Sequence, residues 1–575
     1  MFGLAKMKGT IMKKEGRKEF LKHKAVFLLF LIPFWLTVSS NMFLTAGDQP
    51  GSPDESTEVP KSEINEIEEY IRDQMKRGKI PGLSVVIIKG EKTIYKKCFV
   101  FANIKNKQQV NDKTLFEIGA NSKAFTALGI LLLKKEEKLT MNDPVYKHIP
   151  WFKMNYKGQE VQITIEQLLH HTSGIPFETF ANIPISKDDN ALEKTVKTLI
   201  NKKLRHMPGE EFCYASINYD VLGLIIQYVS RQSFEVFMKK NILEPLGLND
   251  TYLSRKKEMA HDMATGYKIG FLAPREYEAP VYRGNTPAGY FITNAEDMEK
   301  WLKIQLGIDE KPNFKEIIKE SHQPNENITG FRYAKGWFIF QKKDIFHTGN
   351  DPNFSSFIVF SIPKKNSPKK GVPTQEKIGV AVLANINSSL VEGIGWGILA
   401  ILHKRDIHKV YKDFCDSWSA NKKAGFFTRI GKAILTLFKD DMPIQSADFY
   451  IQVDLLSSIL ICISAILFVV FLWCIAVRVK KINKKIISIK ITKKASLVFG
   501  AITIVFIIYL YILYNLPAYM SYKLPWGVIA VWAPKTFVIF AIIAALSGFS
   551  CYVYLFFRTF FPKPKRDVKH LEVNE

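Results

Sequence analysis

The sequence predicts an α+β domain followed by three transmembrane helices. At 575 residues the chain is too long for one ordinary domain. Strand-like segments at residues 83–89 and 378–385 enclose a stretch with helical periodicity, so one sheet should join strands from both ends of the domain. Apolar runs at residues 451–477, 495–516 and 526–557 are each long enough to cross a bilayer as a helix.

The first 46 residues predict a signal peptide or an N-terminal anchor. A basic segment, residues 1–24, precedes a short apolar core at residues 25–38, and small residues suited to cleavage follow at Ser39, Ser40 and Ala46. Without cleavage, residues 25–46 are just long enough to span the membrane. Either outcome delivers the following domain to the outside of the membrane.

The order of segments after the export signal follows from composition. Residues 47–62 are polar and rich in Pro and Ser, as in a linker. The domain proper should occupy residues 63–402 and the juxtamembrane segment residues 403–450, with an amphipathic helix at 425–439. Within the domain we expect helices at 64–75, 219–229 and 234–243, a hairpin of 83–89 with 93–100, and strand structure over 345–362 and 378–385.

The excess positive charge predicts membrane topology. The net charge is +25, and residues 1–24, 478–494 and 558–575 carry +6, +8 and +2, together 16 of the 25. All three segments adjoin apolar runs, so the positive-inside rule places the loop 478–494 and the tail 558–575 in the cytoplasm and the α+β domain outside. The folded domain lacks a groove-reading motif, which argues against nucleic acid as a partner.

The six cysteines predict neither a metal site nor a disulfide framework. Three of them lie in apolar runs and the others are scattered, and no pair has the spacing of metal ligands. They are expected to be small buried hydrophobic residues. The sequence indicates no cofactor and no metal.

Residues 116–133, FEIGANSKAFTALGILLL, predict a tight glycine-containing turn that opens an apolar helix. The amides of such an opening favour negative charge. Lys123 lies on the first turn of this helix. In acyl-transferring enzymes with a Ser-x-x-Lys pair, the serine three residues earlier gives its proton to the amine. That position is Ala120, so the lysine is present and the nucleophile is absent.

Four side chains near Lys123 in sequence or in the later loop are further candidates for the same site. Ser122 lies about 200° around a helix from Ala120, so it should face away from the position that Lys123 serves. Glu117, about one turn before position 120, either approaches a substrate amine or caps the helix. His170 and His171 are expected to be structural loop residues, since no third ligand is placed near them.

Five stretches in order over residues 63–400 resemble the class C β-lactamase and penicillin-binding-protein family of serine hydrolases. The resemblance implies a serine β-lactamase/DD-peptidase-like fold, with an antiparallel sheet flanked by helices and a helical subdomain. The stretches are FEIGANSKAFTAL, QLLHHTSGIP, FCYASINYDVLGLII, PAGYFITNAEDMEKWL and FHTGNDPNFSSFIVF.

The resemblance also implies roles for individual residues. Lys123 would be the base for the nucleophile, and Tyr214 would carry the proton to the leaving group. The third motif and its neighbour would bind the substrate along a strand edge through His347, Thr348, Gly349 and Asn350. The backbone amide of Ala120 would remain available to an oxyanion. The second motif departs from the family pattern at Ser216, where Asn is usual.

Three explanations of Ala120 stay open at this point. In the first explanation, the chain is a natural homologue that binds peptides without hydrolysing them. In the second, it is a nucleophile-to-alanine variant of an active parent. In the third explanation, the register of the helix shifts so that Ser122 takes the place of the nucleophile. Replacement of a nucleophile typically lowers turnover about a million-fold.

The order of segments resembles the membrane-bound D-amino-acid peptidases, which implies peptides with D-residues as substrates or ligands. The rival within the family is a low-mass penicillin-binding protein or an esterase-like relative that acts on D-Ala-D-Ala peptides. The rival from another class is a binding or sensory module whose helices signal. A membrane transporter or a second copy of the chain would then be a partner.

Overall fold

The computed structural model describes residues 60–255, 259, 261–326, 332–341, 343–362, 376–406, 449–484, 489–516 and 524–562. The predicted export signal, almost all of the linker, the amphipathic helix at 425–439 and the far tail lie outside these residues.

An antiparallel sheet of eight strands forms the centre of the domain, in the order β10-β11-β12-β13-β14-β1-β2-β3. Three two-stranded ribbons, β4-β9, β5-β6 and β7-β8, accompany it. The strands are β1 Gly82–Lys89, β2 Lys92–Asn103, β3 Gln108–Gln109, β4 Phe116–Glu117, β5 Met154–Tyr156, β6 Gln159–Val161, β7 Tyr267–Gly270, β8 Ala273–Glu276, β9 Ile292–Thr293, β10 Arg332–Tyr333, β11 Phe338–Phe340, β12 Asp344–Asp351, β13 Phe354–Ser361 and β14 Ile378–Ala384.

Helices cover the sheet and fill the space between its two ends. The α-helices are α1 Lys61–Gly78, α2 Ser122–Lys135, α3 Val145–His148, α4 Ile165–Leu169, α5 Ala191–Lys197, α6 Ile217–Ser230, α7 Phe234–Met238, α8 Glu244–Leu246, α9 Thr286–Gly289, α10 Ala295–Gln305, α11 Lys315–Ser321, α12 Leu390–Leu402, α13 Phe449–Asn483, α14 Lys493–Tyr514, α15 Trp526–Trp532 and α16 Lys535–Phe560.

The predicted union of N- and C-terminal strands is confirmed. Strand β1 pairs antiparallel with β14, with Leu83 opposite Ala384, and with β2 on its other side. All residues of β13 and β14 are buried, because α10 contacts β14 and α12 contacts both strands. Burial on both faces explains the continuous apolar sequence of β14, IGVAVLA.

Two segments differ in detail from the sequence prediction. The strand structure at 345–362 is a hairpin, β12 and β13, because Pro352 and Asn353 form the turn between them. The helix at 234–243 is α7 followed by one π-helical turn, Lys239–Leu243.

Helix α2 is the central helix of the domain. Eleven of its 14 residues are buried, and it packs against α6, α9 and α11. The ring of Phe125 stacks on Trp301 at 4.0 Å and on Phe291 at 5.2 Å. This packing fixes the first turn of α2, and with it the backbone of Ala120 and the side chain of Lys123.

Three helices in the described part of the chain, α13, α14 and α16, are long and apolar enough to cross a membrane. The third apolar run is interrupted after Trp532, because Pro534 cannot continue helix α15. Helices α13 and α16 pack along each other. At one end of the bundle, Lys490 donates to the carbonyl of Phe560 at 2.7 Å.

Candidate active site

The turn that precedes α2 is pressed against strand β12. Gly119 has φ 51°, a left-handed conformation that favours glycine, and opens the 3-10 turn Gly119–Asn121. A Cβ atom on Gly349 would lie 1.9 Å from the carbonyl oxygen of Ile118. Glycine at 349 therefore lets the third-motif strand lie directly against the turn that carries Ala120.

Lys123 is fully buried at the centre of the site. Its Nζ donates to the carbonyl oxygen of Ala288 at 2.7 Å and lies 3.0 Å from the Ser216 hydroxyl oxygen. The same nitrogen stands 5.1 Å from the centre of the Tyr214 ring and 5.8 Å from that of Tyr219. The structure therefore brings together the first and second motifs predicted from the sequence.

Burial lowers the pKa of Lys123 to about 7, although the carboxylates of Asp220 and Asp351 act in the opposite direction. A substantial fraction of the amine is then neutral near pH 7 and able to accept a proton. Burial in turn raises the pKa of Asp220, whose carboxyl accepts a hydrogen bond from Asn285 Nδ2 at 2.6 Å. Burial also raises the pKa of Tyr214, which keeps its hydroxyl protonated.

Solvent reaches five residues of the motifs around Lys123. Ala120, Tyr214, Ser216 and Thr348 are half-buried, and Asn350 is exposed. We call these five residues the site cleft.

Ser122 has a structural role in this arrangement. Its hydroxyl donates to the carbonyl of Gly119 at 2.6 Å and accepts from the amide of Phe291 at 3.0 Å. The side chain is fully buried, and both of these hydrogen bonds join its oxygen to backbone groups.

His347 lies behind the site cleft and does not line it. Its Nδ1 donates to the carbonyl of Thr348 at 2.7 Å, and its Nε2 accepts from the Tyr333 hydroxyl at 3.1 Å. Burial lowers the pKa of His347 to about 3, so the ring is neutral. Polar side-chain contact with a ligand along β12 is thus left to Thr348 and Asn350.

Glu117 forms an ion pair beside the turn. Its Oε1 lies 2.8 Å from Arg255 Nε, and helix α2 has no side-chain cap. The predicted capping role is therefore wrong for Glu117. Asp351 lies near the same pair and accepts from the Gly119 amide at 3.1 Å.

The paired histidines serve the loop after α4. His170 Nε2 contacts Glu166 at 3.1 Å, and its Nδ1 lies 2.8 Å from the carbonyl of Tyr333. His171 Nδ1 accepts from Asn218 Nδ2 at 3.0 Å, which places its proton on Nε2. Among the described residues no group of His, Cys, Asp and Glu has the arrangement of a metal site.

Sequence reasoning missed the acidic residues that surround Lys123. Asp220 follows Ser216 by four residues on α6, so the two share one face of that helix, and this spacing was a usable signal. Asp351 lies two residues after Gly349 of the third motif, but its bond to Gly119 spans 232 residues and no local pattern reveals it.

An antiparallel sheet flanked by helices, with a Lys–Ser–Tyr cluster at the start of a buried helix, defines a protein of the serine β-lactamase and penicillin-binding-protein class. The family model described as "Beta-lactamase" matches residues 67–403. The chain belongs to this family.

Two curated relatives and one solved structure illustrate the similarity. "Protein flp" of Staphylococcus aureus (strain N315) is 36% identical over 375 residues, which cover 62% of this chain and 71% of that protein. PbpX of Bacillus subtilis (strain 168) is 28% identical over 344 residues, 57% of this chain and 84% of PbpX. The octameric penicillin-binding protein homologue from Pyrococcus abyssi has a TM-score of 0.52 at 31% identity, covering 60% of this chain and 78% of that one.

Proposed function

We propose that this chain is a membrane-anchored, extracytoplasmic member of the β-lactamase family that binds peptides containing D-amino acids and does not form an acyl-enzyme. The observation that carries the proposal is the cluster of Lys123 with Ser216 and Tyr214 beside a methyl group at Ala120. Peptides with D-residues are the ligands implied by the resemblance to penicillin-binding proteins and D-amino-acid peptidases.

The contacts of Lys123 are compatible with a role as the base in acyl transfer. A neutral Lys123 can donate its two protons to Ala288 and Ser216, which leaves the nitrogen lone pair for a hydroxyl group at position 120. An alanine there offers no oxygen to acylate. The loss of a nucleophile that acts with its base typically costs about a million-fold in turnover.

Ligand binding does not depend on the missing oxygen. Strand β12 lies against the turn before α2, and its cleft-facing side chains Thr348 and Asn350 can pair with a peptide through hydroxyl and amide groups. An extended peptide recognised in this way is held by the strand while its carbonyl points toward the backbone of Ala120.

The membrane arrangement supports an outside location for the domain. Helices α13 and α16 both begin beside the β7–β8 hairpin of the domain, whereas the Arg478 side chain and the Phe561 carbonyl meet at the opposite end of the bundle. That far end carries the basic loop 478–494, which the positive-inside rule assigns to the cytoplasm.

Fluorescent penicillin labelling of membranes tests the proposal. The unmodified chain should remain unlabelled. It should nevertheless bind a peptide ending in D-Ala-D-Ala reversibly and in preference to its L-Ala-L-Ala counterpart. Ala120→Ser should label covalently, and Ala120→Ser with Lys123→Met should not. Labelling of the unmodified chain would disprove the absence of acylation. Failure of both the chain and Ala120→Ser to bind the D-peptide would disprove the ligand class.

The alternative from the sequence, an active D-peptidase whose serine has been replaced, predicts full peptide turnover by Ala120→Ser. A binding module that has diverged further predicts labelling without turnover. The ratio of the acylation rate to the deacylation rate in Ala120→Ser therefore distinguishes an active peptidase from a diverged binding module.

A further inference from the structure

A carboxylate lies buried at the junction between the domain and the membrane helices. Asp454, in the second turn of α13, is fully buried. Its oxygens accept hydrogen bonds from the amides of Phe271 and Leu272 at 3.1 and 2.6 Å, and from the hydroxyl of Thr536 in α16. An ionisable side chain in a membrane helix is costly to bury, so the groups that bind it indicate its role.

The partners of Asp454 form the turn of the β7–β8 hairpin. Phe271 and Leu272 have φ values of 53° and 58°, as in the tight hairpin turn that usually contains Asn or Gly. Side chains other than glycine seldom adopt this conformation. The carboxylate binds both exposed amides of the turn and so stabilises a conformation that these residues disfavour.

Two lysine side chains form hydrogen bonds across the junction between the hairpin and the membrane helices. Lys268 of the domain donates to the carbonyls of Ala530 and Val531, near the end of α15, at 3.2 and 2.7 Å. Lys535 of α16 donates to the carbonyl of Glu276 at 2.8 Å. Each side of the junction therefore supplies an amine donor to backbone oxygens of the other.

The hairpin is linked to the site through hydrogen bonds between side chains and backbone groups. The Tyr277 carbonyl, next to β8, accepts from Asn353 Nδ2 at 3.0 Å, and Asn353 lies in the turn between β12 and β13. Two residues earlier, Asp351 accepts from the amide of Gly119, which adjoins Ala120. A short chain of contacts thus links Asp454 to the turn that carries position 120.

We propose that the membrane helices position the site cleft through the β7–β8 hairpin, with Asp454 as the positioning residue. The membrane helices would then help to shape the ligand-binding site as well as anchor the domain in the membrane. The effect of Asp454 on ligand binding rests on the proposed function. The contact between the hairpin and the membrane helices does not depend on that function, so the two are measured separately.

Disulfide trapping tests the contact without any ligand. A Cβ atom at Gly270 would lie 3.3 Å from the Cβ of Lys535, close to the separation found in disulfides. In a full-length chain whose six native cysteines are replaced, Gly270→Cys with Lys535→Cys should cross-link on mild oxidation in membranes. The control pair, Gly270→Cys with Ile542→Cys about two turns along α16, should not. Equal cross-linking of the two pairs would overturn the docked arrangement.

The effect on the cleft is measured in the Ala120→Ser background. Asp454→Leu should lower the penicillin labelling rate about tenfold, within the range of energetic coupling between distant sites. Asp454→Asn, which keeps one acceptor oxygen, should retain part of the rate, and the control Leu455→Ala should not change it. Thermal unfolding monitored in parallel identifies a merely structural effect.

The outcomes separate the two proposals. Equal labelling rates in Asp454→Leu and Leu455→Ala would overturn the positioning role. If Ala120→Ser itself fails to label, the proposed function fails, and the cross-linking result still decides whether the hairpin is docked.

Discussion

The side-chain nitrogen of Lys123 lies 3.0 Å from the hydroxyl oxygen of Ser216, at the N-terminus of helix α6. The hydroxyl does not cap its own helix, so it is free to orient the amine. In the Ala120→Ser background, Ser216→Ala should slow penicillin labelling about tenfold, because Lys123 then loses one of the two hydrogen bonds that it donates. Loss of one hydrogen bond should cost the fold only about 1 kcal/mol.

Ser216→Asn is the matched control, since Asn is the residue usual in the family. It should keep a labelling rate within a few-fold of the Ala120→Ser parent. A covalent penicillin adduct on Ser216 in the unmodified chain, detected by peptide mass spectrometry, would contradict both this orienting role and the absence of acylation.

The rate of labelling should depend on pH through Lys123. Burial lowers the pKa of this amine to about 7, and only the neutral amine accepts a proton. The labelling rate of Ala120→Ser should therefore rise with pH through about 7 and then level off. A rate that is flat between pH 5.5 and 8.5 would show that Lys123 is not the base.

Asp220 gives this pH dependence a direction that can be tested. Its negative charge raises the pKa of Lys123 against the effect of burial. Asp220→Asn in the same background should move the midpoint of the rate profile to lower pH. An unchanged midpoint would mean that Asp220 is uncharged in the folded protein and does not stabilise the lysine cation.

The ion pair of Glu117 with Arg255 should contribute to stability. Arg255→Ala leaves a carboxylate that is only 7% exposed without its cation. We expect a loss of about 2 kcal/mol in the free energy of unfolding, less than for a fully buried pair because the Arg255 side chain is 39% exposed. Denaturant titration in detergent measures it, and the double variant Glu117→Gln, Arg255→Ala should lose less than the single one.

The sequence predicted the parts of the fold that local pattern determines. The hairpin of β1 and β2, the helix that carries Lys123 and the three long apolar helices follow from periodicity, apolar length and glycine placement. The pairing of β1 with β14 was also predictable, because strands at both ends of an α+β domain must find partners.

What the sequence did not reveal depends on contacts between distant segments. His347 matches the third motif, yet its ring turns inward because Tyr333 supplies a hydroxyl that no sequence pattern places there. Likewise, nothing near Asp454 in sequence indicates that it binds the turn at Phe271 and Leu272, 182 and more residues away.

Substitution of Ser122 should distinguish a structural role from a chemical role within the first motif. Its hydroxyl links Gly119 to the buried amide of Phe291, so Ser122→Ala leaves that amide without a partner. The free energy of unfolding should fall by about 1–3 kcal/mol. In the Ala120→Ser background the same change should leave covalent labelling detectable at a similar rate in the folded fraction, because this oxygen does not meet Lys123. If labelling disappears while near-native thermal stability is kept, Ser122 belongs to the reacting groups and its assignment as a structural residue is wrong.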